Sequence, residues 1–181
     1  MKKITIEAMQ LENFKGQQSL SLWLNENRIL IQGAGSTGKT SIQDAWCWLL
    51  FGKDSRGSTL TEVRPLGENG KIRNPQAATK VKAEICVSRQ EQEKRIRLGR
   101  SLLRSPEGKW ITEFQMDGRS CSRKEFCSEV KKLFPEDLFF ALSFPQFFPE
   151  KTSVRERLPF SAPCVAGRRK SRRPAAWKVT L

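Results

Sequence analysis

A glycine-rich segment near the start of the chain constrains the fold more than any other feature. It follows the spacing G-x-x-x-x-G-K-[ST] and reads Gly33-Ala34-Gly35-Ser36-Thr37-Gly38-Lys39-Thr40. An apolar run at 28–32 precedes it, and apolar residues recur with helical spacing from 39 to 51 behind it. One interpretation is a glycine- and serine-rich linker. The order of strand, loop and amphipathic helix instead favours a P-loop.

The chemistry of such a loop predicts a site for a nucleoside triphosphate. Glycines let the backbone turn its N–H groups inward around phosphates, and the helix N-terminus adds a partial positive charge. Lys39 would then reach the β- and γ-phosphates, and the Thr40 hydroxyl would ligate Mg²⁺. A P-loop does not by itself name the reaction, so the flanking sequence has to decide it.

Hydrophobic periodicity predicts an α/β fold. Strands at 3–11 and 19–24 should pair antiparallel across a turn at 13–16, and 28–32 should be a buried strand. The helix at 39–51 should end at Gly52, ahead of a loop at 53–77. Three further strands are expected at 80–87, 94–103 and 110–116, followed by a hairpin turn at Asp117-Gly118. Two helices are expected at 122–134 and 135–143. The expected architecture is a mixed sheet around the P-loop helix, an antiparallel β-subdomain and two closing helices.

Charge divides the chain into two parts. The formal net charge is +14, of which residues 151–181 carry +8 and residues 1–150 carry +6. The composition after residue 150 also shifts to Arg, Pro, Ala and Ser. We therefore predict one domain at 1–150 and a basic, Arg/Pro-rich tail at 151–181 that is disordered or out of frame.

Composition also excludes several classes of protein. No apolar stretch approaches the roughly 18 residues of a membrane span, and the N-terminus has no signal-peptide core, which favours a cytoplasmic protein with no membrane partner. The five cysteines include no CxxC pair and the chain has no histidine. A zinc site, a disulfide framework and histidine-dependent catalysis are therefore not expected, and we interpret the cysteines as buried or reduced thiols.

Two stretches around the loop carry a resemblance to a known family. The segment Leu11-Glu12-Asn13-Phe14-Lys15-Gly16 resembles the L-x-N-F-[RK]-G opening of SMC-like ABC ATPases. The helix from Thr40 to Lys53 resembles their [ST]-[ST]-I-x-D-A-I-x-W-x-L-F-G-K. The resemblance covers roughly 1–150 and points to the N-terminal half of the head domain in SbcC-type ATPases of DNA double-strand-break repair.

The resemblance implies a set of site residues. ATP and Mg²⁺ would be held by Gly33, Gly38, Lys39, Thr40 and Ser41, with Ala34, Gly35, Ser36 and Thr37 completing the loop. Asn13 and Lys15 would lie near the nucleotide, and Gln146 falls where the family's Q-loop glutamine senses Mg²⁺. Two departures, Gly35 for an asparagine and Ser36 for a glycine, put the affinity in doubt.

The resemblance also implies partners. In the intact family, ATP joins two heads in a dimer and regulates a nuclease subunit on broken DNA. The family's Asp-Glu strand, signature loop, switch histidine and coiled coil are not found in this sequence. We therefore expect a lobe that binds ATP and hydrolyses it poorly without a C-terminal lobe.

Other interpretations remain open. The chain could be a small P-loop kinase, a DNA-binding fragment with a vestigial ATP site, or a split ATPase whose missing lobe comes from another chain. The tail is either the out-of-frame end of a truncated product or a nucleic-acid arm containing Arg168-Arg169-Lys170-Ser171-Arg172-Arg173. A second basic run, with Arg95 and Arg97 on one strand face, could meet a DNA backbone or be a solvated surface.

Overall fold

A computed structural model describes residues 2–24, 30–35, 37–60, 62–67, 69–89, 92–144 and 178–179. Its strands are β1 (Lys2–Phe14), β2 (Gln17–Trp23), β3 (Leu30–Ile31), β4 (Thr79–Arg89), β5 (Gln92–Arg104), β6 (Trp110–Met116), β7 (Arg119–Cys121) and β8 (Lys178–Val179). Its helices are α1 (Lys39–Phe51), α2 (Arg123–Leu133) and α3 (Glu136–Ser143).

The strands form two sheets. Six of them lie in the order β2-β1-β4-β5-β6-β7, and every neighbouring pair is antiparallel. The short strand β3 pairs in parallel with β8, with Leu30 opposite Lys178. The α/β architecture with an antiparallel subdomain is therefore confirmed, and within the described residues the parallel pair forms a sheet of its own.

The hydrophobic core lies between the large sheet and the helices. α1 packs on β1, β4 and β5, while α2 packs on β6 and on α1. The buried face of the sheet and the buried stripe of α1 meet in one cluster, which includes Leu11, Phe14, Leu49, Leu50, Val81, Ile85, Leu98, Phe114 and Phe126. Burial of this apolar area fixes α1, and with it the glycine-rich loop, against the sheet.

Local sequence signals place most of the boundaries. α1 has the bounds that its apolar periodicity predicts, and Gly52 ends it in the left-handed conformation at φ 75°, donating its N–H to the Trp48 carbonyl at 2.9 Å. The Asp117-Gly118 turn has positive φ at both residues, as a two-residue hairpin of the I′ type requires. Ser122 caps α2, its side chain accepting from the Glu125 N–H at 3.2 Å.

The apolar run at 28–32 departs from its prediction. Only Leu30 and Ile31 are assigned to a strand among the described residues, and both are half-buried rather than buried. α1 packs against the large sheet, at a position where we expected a buried strand directly ahead of the P-loop. A short apolar run indicates that a segment tends to be buried, but it does not indicate which sheet the segment will join or pack against.

The cysteines that the structure describes are all free thiols. Cys47 and Cys86 are buried, whereas Cys121 and Cys127 are partly exposed. Burial, together with the nearby Asp44 and Asp54 carboxylates, raises the pKa of the Cys47 thiol to about 12. In the same part of the chain, none of the helices has the length and hydropathy needed to cross a bilayer.

Candidate functional site: a glycine-rich loop at the start of α1

The N-terminal end of α1 is open. Gly38 occupies the N-cap position at φ 89°, no side chain caps the helix, and its first turn holds no acidic residue. The first N–H groups of an α-helix have no partner within the helix, and their partial positive charge attracts anions. The end of α1 that meets the glycine-rich loop is therefore suited to phosphate.

Lys39 lies across the loop. Its ammonium donates to the Gly33 carbonyl at 2.7 Å and to the Ala34 carbonyl at 2.5 Å, and it lies 3.5 Å from the Thr37 hydroxyl. The Thr37 hydroxyl in turn donates to the Ala34 carbonyl at 2.9 Å. These contacts keep the cation at the loop, where its three donors can exchange carbonyl partners for phosphate oxygens.

The glycines of the loop differ in what they allow. A Cβ on Gly33 would lie 2.8 Å from the Thr37 hydroxyl oxygen, so a side chain here would force the Thr37 side chain to move. A Cβ on Gly35 would meet nothing within 4 Å. The space around Gly35 therefore accepts a side chain. An asparagine, as in the SMC-like pattern that the sequence resembles, would fit at this position, so glycine is not required here for steric reasons.

Two hydroxyls follow Lys39 in the first turn of α1. Thr40 is exposed and Ser41 is half-buried. Neither the described acidic residues nor the described cysteines form a group of three that could hold a metal ion. Mg²⁺ binds nucleotides through phosphate oxygens, water and few protein oxygens, and the Thr40 hydroxyl would be one such protein ligand here.

The structure places Asn13 near the end of β1 and Lys15 in the turn between β1 and β2. The Asn13 side chain donates to the Ala78 carbonyl at 3.0 Å, and its own carbonyl accepts from the Thr79 hydroxyl at 2.9 Å. The Lys15 ammonium pairs with the Asp44 carboxylate on α1. Asn13 thus ties the turn to the start of β4, and Lys15 ties it to the P-loop helix.

The Asp44 carboxylate is buried and fully engaged. Its second oxygen accepts from the Ser55 N–H at 2.8 Å. Burial alone would raise the pKa of Asp44, but the hydrogen bonds from Lys15 and Ser55 outweigh it and hold the pKa below its usual value. A carboxylate held in this way remains ionised and occupied, so Asp44 is not suited to act as a general base.

Gln17, at the start of β2, touches the loop and was not predicted. Its side-chain N–H₂ donates to the Thr37 carbonyl at 3.0 Å, 20 residues further along the chain. No local pattern marks this glutamine, because the contact exists only once the β1–β2 hairpin has packed beside α1.

Arg100 closes the opposite end of α1. It is buried, and its guanidinium donates to the Trp48 carbonyl and lies over the rings of Trp48, Phe114 and Phe126, with centroid distances of 5.5, 4.9 and 5.8 Å. Burial lowers the pKa of Arg100 to about 10. Arg100 follows Arg95 and Arg97 along the same strand, but position 100 alternates onto the core face of β5.

Arg95 and Arg97 do share one exposed face of the sheet. Arg95 pairs with Glu7 at 3.0 Å and Arg97 with Glu84 at 3.4 Å. Arg95 and Arg97, which were considered as contacts for a DNA backbone, are therefore each paired with a glutamate. Three further predictions, Ser36, Gln146 and the basic tail except its strand at Lys178–Val179, lie outside the described residues.

Residues 8–161 match the protein family described as an AAA domain. The chain belongs to this AAA domain family. No curated protein matches it closely enough to count as a relative.

Among solved structures, this AAA domain resembles the recombination mediator protein RecF with ATP in the RecFOR pathway. The TM-score is 0.51 and the sequence identity 18%, over 72% of this chain and 31% of the RecF chain. A RecF structure with ATPrS gives a TM-score of 0.50 and 16% identity, over 70% of this chain and 29% of that one. The chain thus spans less than a third of the RecF length, and the similarity shows a P-loop NTPase fold.

Proposed function

We propose that this AAA domain binds ATP with Mg²⁺, as the N-terminal lobe of an SMC-like head domain of the SbcC type. The observation that carries the proposal is the Lys39 ammonium, held across a glycine-rich loop at the uncapped end of α1. A cation, an open helix end and a glycine-rich turn together suit the binding of a triphosphate. The similarity to a RecF structure with ATP supports the same ligand.

Each residue of the site has a defined part in this proposal. The loop around Gly33 and Gly38 presents backbone N–H groups to the phosphates, and Lys39 neutralises their charge. Thr40 would offer its hydroxyl to Mg²⁺, which when bound would supply positive charge against the charge that develops during phosphoryl transfer. The chain's own residues thus bind and orient the triphosphate.

Hydrolysis requires a group that positions the attacking water. Asp44, the acidic residue of α1, is bound to Lys15 and Ser55 and cannot take this part. We therefore propose that turnover depends on a second lobe, supplied by the C-terminal half of a head domain or by another chain. A head dimer, a nuclease subunit and DNA ends are the partners that the family resemblance supports.

The alternative of a small P-loop kinase is less well supported. Such an enzyme needs a lid and a second substrate site beside the loop. Residues 79–121 instead form β4 to β7, four neighbouring antiparallel strands of the large sheet. This arrangement is a subdomain rather than a mobile lid.

ATP binding is tested with a fluorescent ATP analogue and Mg²⁺. We expect the wild-type protein to bind, and Lys39→Ala to weaken binding at least tenfold, because a charged hydrogen bond to phosphate contributes about 1.5–3 kcal/mol. Lys109→Ala is the matched control, since Lys109 is exposed in the β5–β6 turn, where its ammonium lies 3.8 Å from the Glu107 carboxylate. Equal binding by the Lys39→Ala variant and the wild type would contradict the proposal.

DNA binding is tested separately, with labelled duplex DNA at increasing salt. If DNA is a partner, the affinity should fall steeply with salt, because phosphate contacts release counterions. Arg95→Ala combined with Arg97→Ala should change it little, since each arginine already faces a glutamate. Absence of binding at low salt would contradict a DNA-binding role for this chain.

A further inference from the structure

The Gln17 side chain links the β1–β2 hairpin to the P-loop. Gln17 pairs with Phe14 across the turn and donates its side-chain N–H₂ to the Thr37 carbonyl at 3.0 Å. Thr37 is the residue before Gly38, the N-cap of α1. The hydrogen bond therefore acts on the peptide unit that links the loop to the helix.

The turn that precedes Gln17 is held to neighbouring parts of the fold by hydrogen bonds and an ion pair. The Lys15 N–H donates to the Val63 carbonyl at 2.7 Å, its ammonium pairs with Asp44, and the Asn13 side chain donates to the Ala78 carbonyl at 3.0 Å. Asn13 and Lys15 both have positive φ, at 50° and 48°. This conformation is uncommon for a residue such as lysine, so the contacts around Lys15 stabilise it. Gln17 thus reaches the loop from a fixed support.

The orientation of one peptide unit follows from this contact. A trans peptide is planar, so its C=O and N–H point in opposite directions. Because Gln17 holds the Thr37 carbonyl towards the hairpin, the Gly38 N–H of the same peptide points away from it. That N–H lies at the uncapped end of α1, where phosphate is expected.

Because residue 38 is a glycine, the orientation of the Thr37–Gly38 peptide needs to be held by a further contact. Glycine populates positive and negative φ with similar ease, so the Thr37–Gly38 peptide can flip at low cost. A flipped peptide would present a carbonyl oxygen to the phosphates in place of an N–H. Gln17 also fills the space beside Gly38, where a Cβ would clash with its side-chain nitrogen. The glutamine and the glycine are therefore matched to one another.

We propose that Gln17 is a positioning residue of the P-loop, which holds the Thr37–Gly38 peptide with its N–H available to phosphate. The role rests on the proposed ATP site. It extends that site from the loop itself to the β1–β2 hairpin.

The test uses Gln17→Met, which keeps the length of the side chain and removes the N–H donor. Gln18→Met is the matched control, because Gln18 is the exposed neighbour on the same strand. We expect Gln17→Met to weaken binding of the ATP analogue about threefold to tenfold, the value of one net hydrogen bond. Gln18→Met should bind like the wild type.

A second measurement separates positioning from a loss of folding. The nucleotide-free Gln17→Met variant should unfold cooperatively with a thermal midpoint no more than about 4 °C below that of the wild type. Its Gly38 amide ¹⁵N resonance should shift, since this nucleus responds to hydrogen bonding at the preceding carbonyl. Unchanged affinity in Gln17→Met, alongside weakened binding in Lys39→Ala, would overturn the role of Gln17 alone. An unshifted Gly38 resonance would overturn it as well. Failure of the wild-type protein to bind the ATP analogue would overturn the proposed function and the positioning role with it.

Discussion

The two ends of α1 are built in opposite ways. At the N-terminal end, Gly38 leaves the helix uncapped, and the surrounding loop from Gly33 to Gly35 is exposed. At the C-terminal end, Gly52 and the buried Arg100 both donate to the Trp48 carbonyl. Carbonyl groups end the helix there, so a cation is favourable, as the direction of the helix dipole requires.

The two ends of α1 contribute to different properties of the protein, one to its stability and the other to binding. The closed end lies among Trp48, Phe114 and Phe126, whose burial contributes to the free energy of unfolding. The open end makes few contacts of its own and depends on the hairpin and on Lys39 for its shape. Substitutions at the two ends should therefore affect different measurements.

The largest effect on stability is expected at the closed end. Arg100→Ala should lower the free energy of unfolding by about 3 kcal/mol, because it removes the packed stem and leaves a cavity between three rings. Arg100→Met should recover most of that loss by filling the space without a charge. Urea denaturation measures both variants. An equal loss in both would mean that the charge, rather than the packing, stabilises this end.

A smaller, pH-dependent effect is expected where the hairpin joins α1. The hydrogen bonds from Lys15 and Ser55 hold the pKa of Asp44 below its unfolded value, so the stability they confer is present above that value and is lost as the pH falls through the folded pKa. Lys15→Met removes one donor and leaves burial to raise the pKa of Asp44. Acid unfolding should then begin at a higher pH than in the wild type.

The control for this prediction is Lys80→Met. Lys80 is half-buried, and its partner Glu12 is 3.1 Å away and exposed. Such a surface pair contributes little, so the acid-unfolding midpoint should stay within the error of the measurement. Far-ultraviolet circular dichroism across pH 2–7 measures both variants, and an unmoved midpoint in Lys15→Met would contradict the role given to Asp44.

The smallest effect on stability is expected at the open end. Lys39→Ala should change the free energy of unfolding by less than about 0.5 kcal/mol, the range of ordinary surface substitutions, although it weakens nucleotide binding. The same denaturation experiment checks it. A loss as large as that of Arg100→Ala would show that the loop is part of the folding core, and the contrast between the two ends would fail.

The elements whose signals are local could be predicted from the sequence. The bounds of α1, its end at Gly52 and the Asp117-Gly118 turn follow from periodicity and from the few residue types that accept positive φ. The glycine spacing around Lys39 identified the candidate site for the same reason. In these cases the chemistry that decides the structure lies within a few residues.

The contacts that hold the site in place could not be predicted. Gln17 and Thr37 are 20 residues apart, Lys15 and Asp44 are 29 apart, and Arg100 and Trp48 are 52 apart. A glutamine, a lysine and an arginine are each ordinary surface residues in composition. Nothing in their neighbours along the chain states which of them will be buried or which carbonyl they will reach.

The sequence by itself determined that this chain has a P-loop at the start of an amphipathic helix, because glycine, lysine and threonine spacing is a local property. The tertiary structure alone decided that Arg100 is a buried cap, that Arg95 and Arg97 face glutamates, and that the β1–β2 hairpin supports the loop. The physical reason is that burial and pairing depend on how β1, β4 and β5 are aligned in the sheet. That alignment is set by the packing of the whole core, which no single segment encodes.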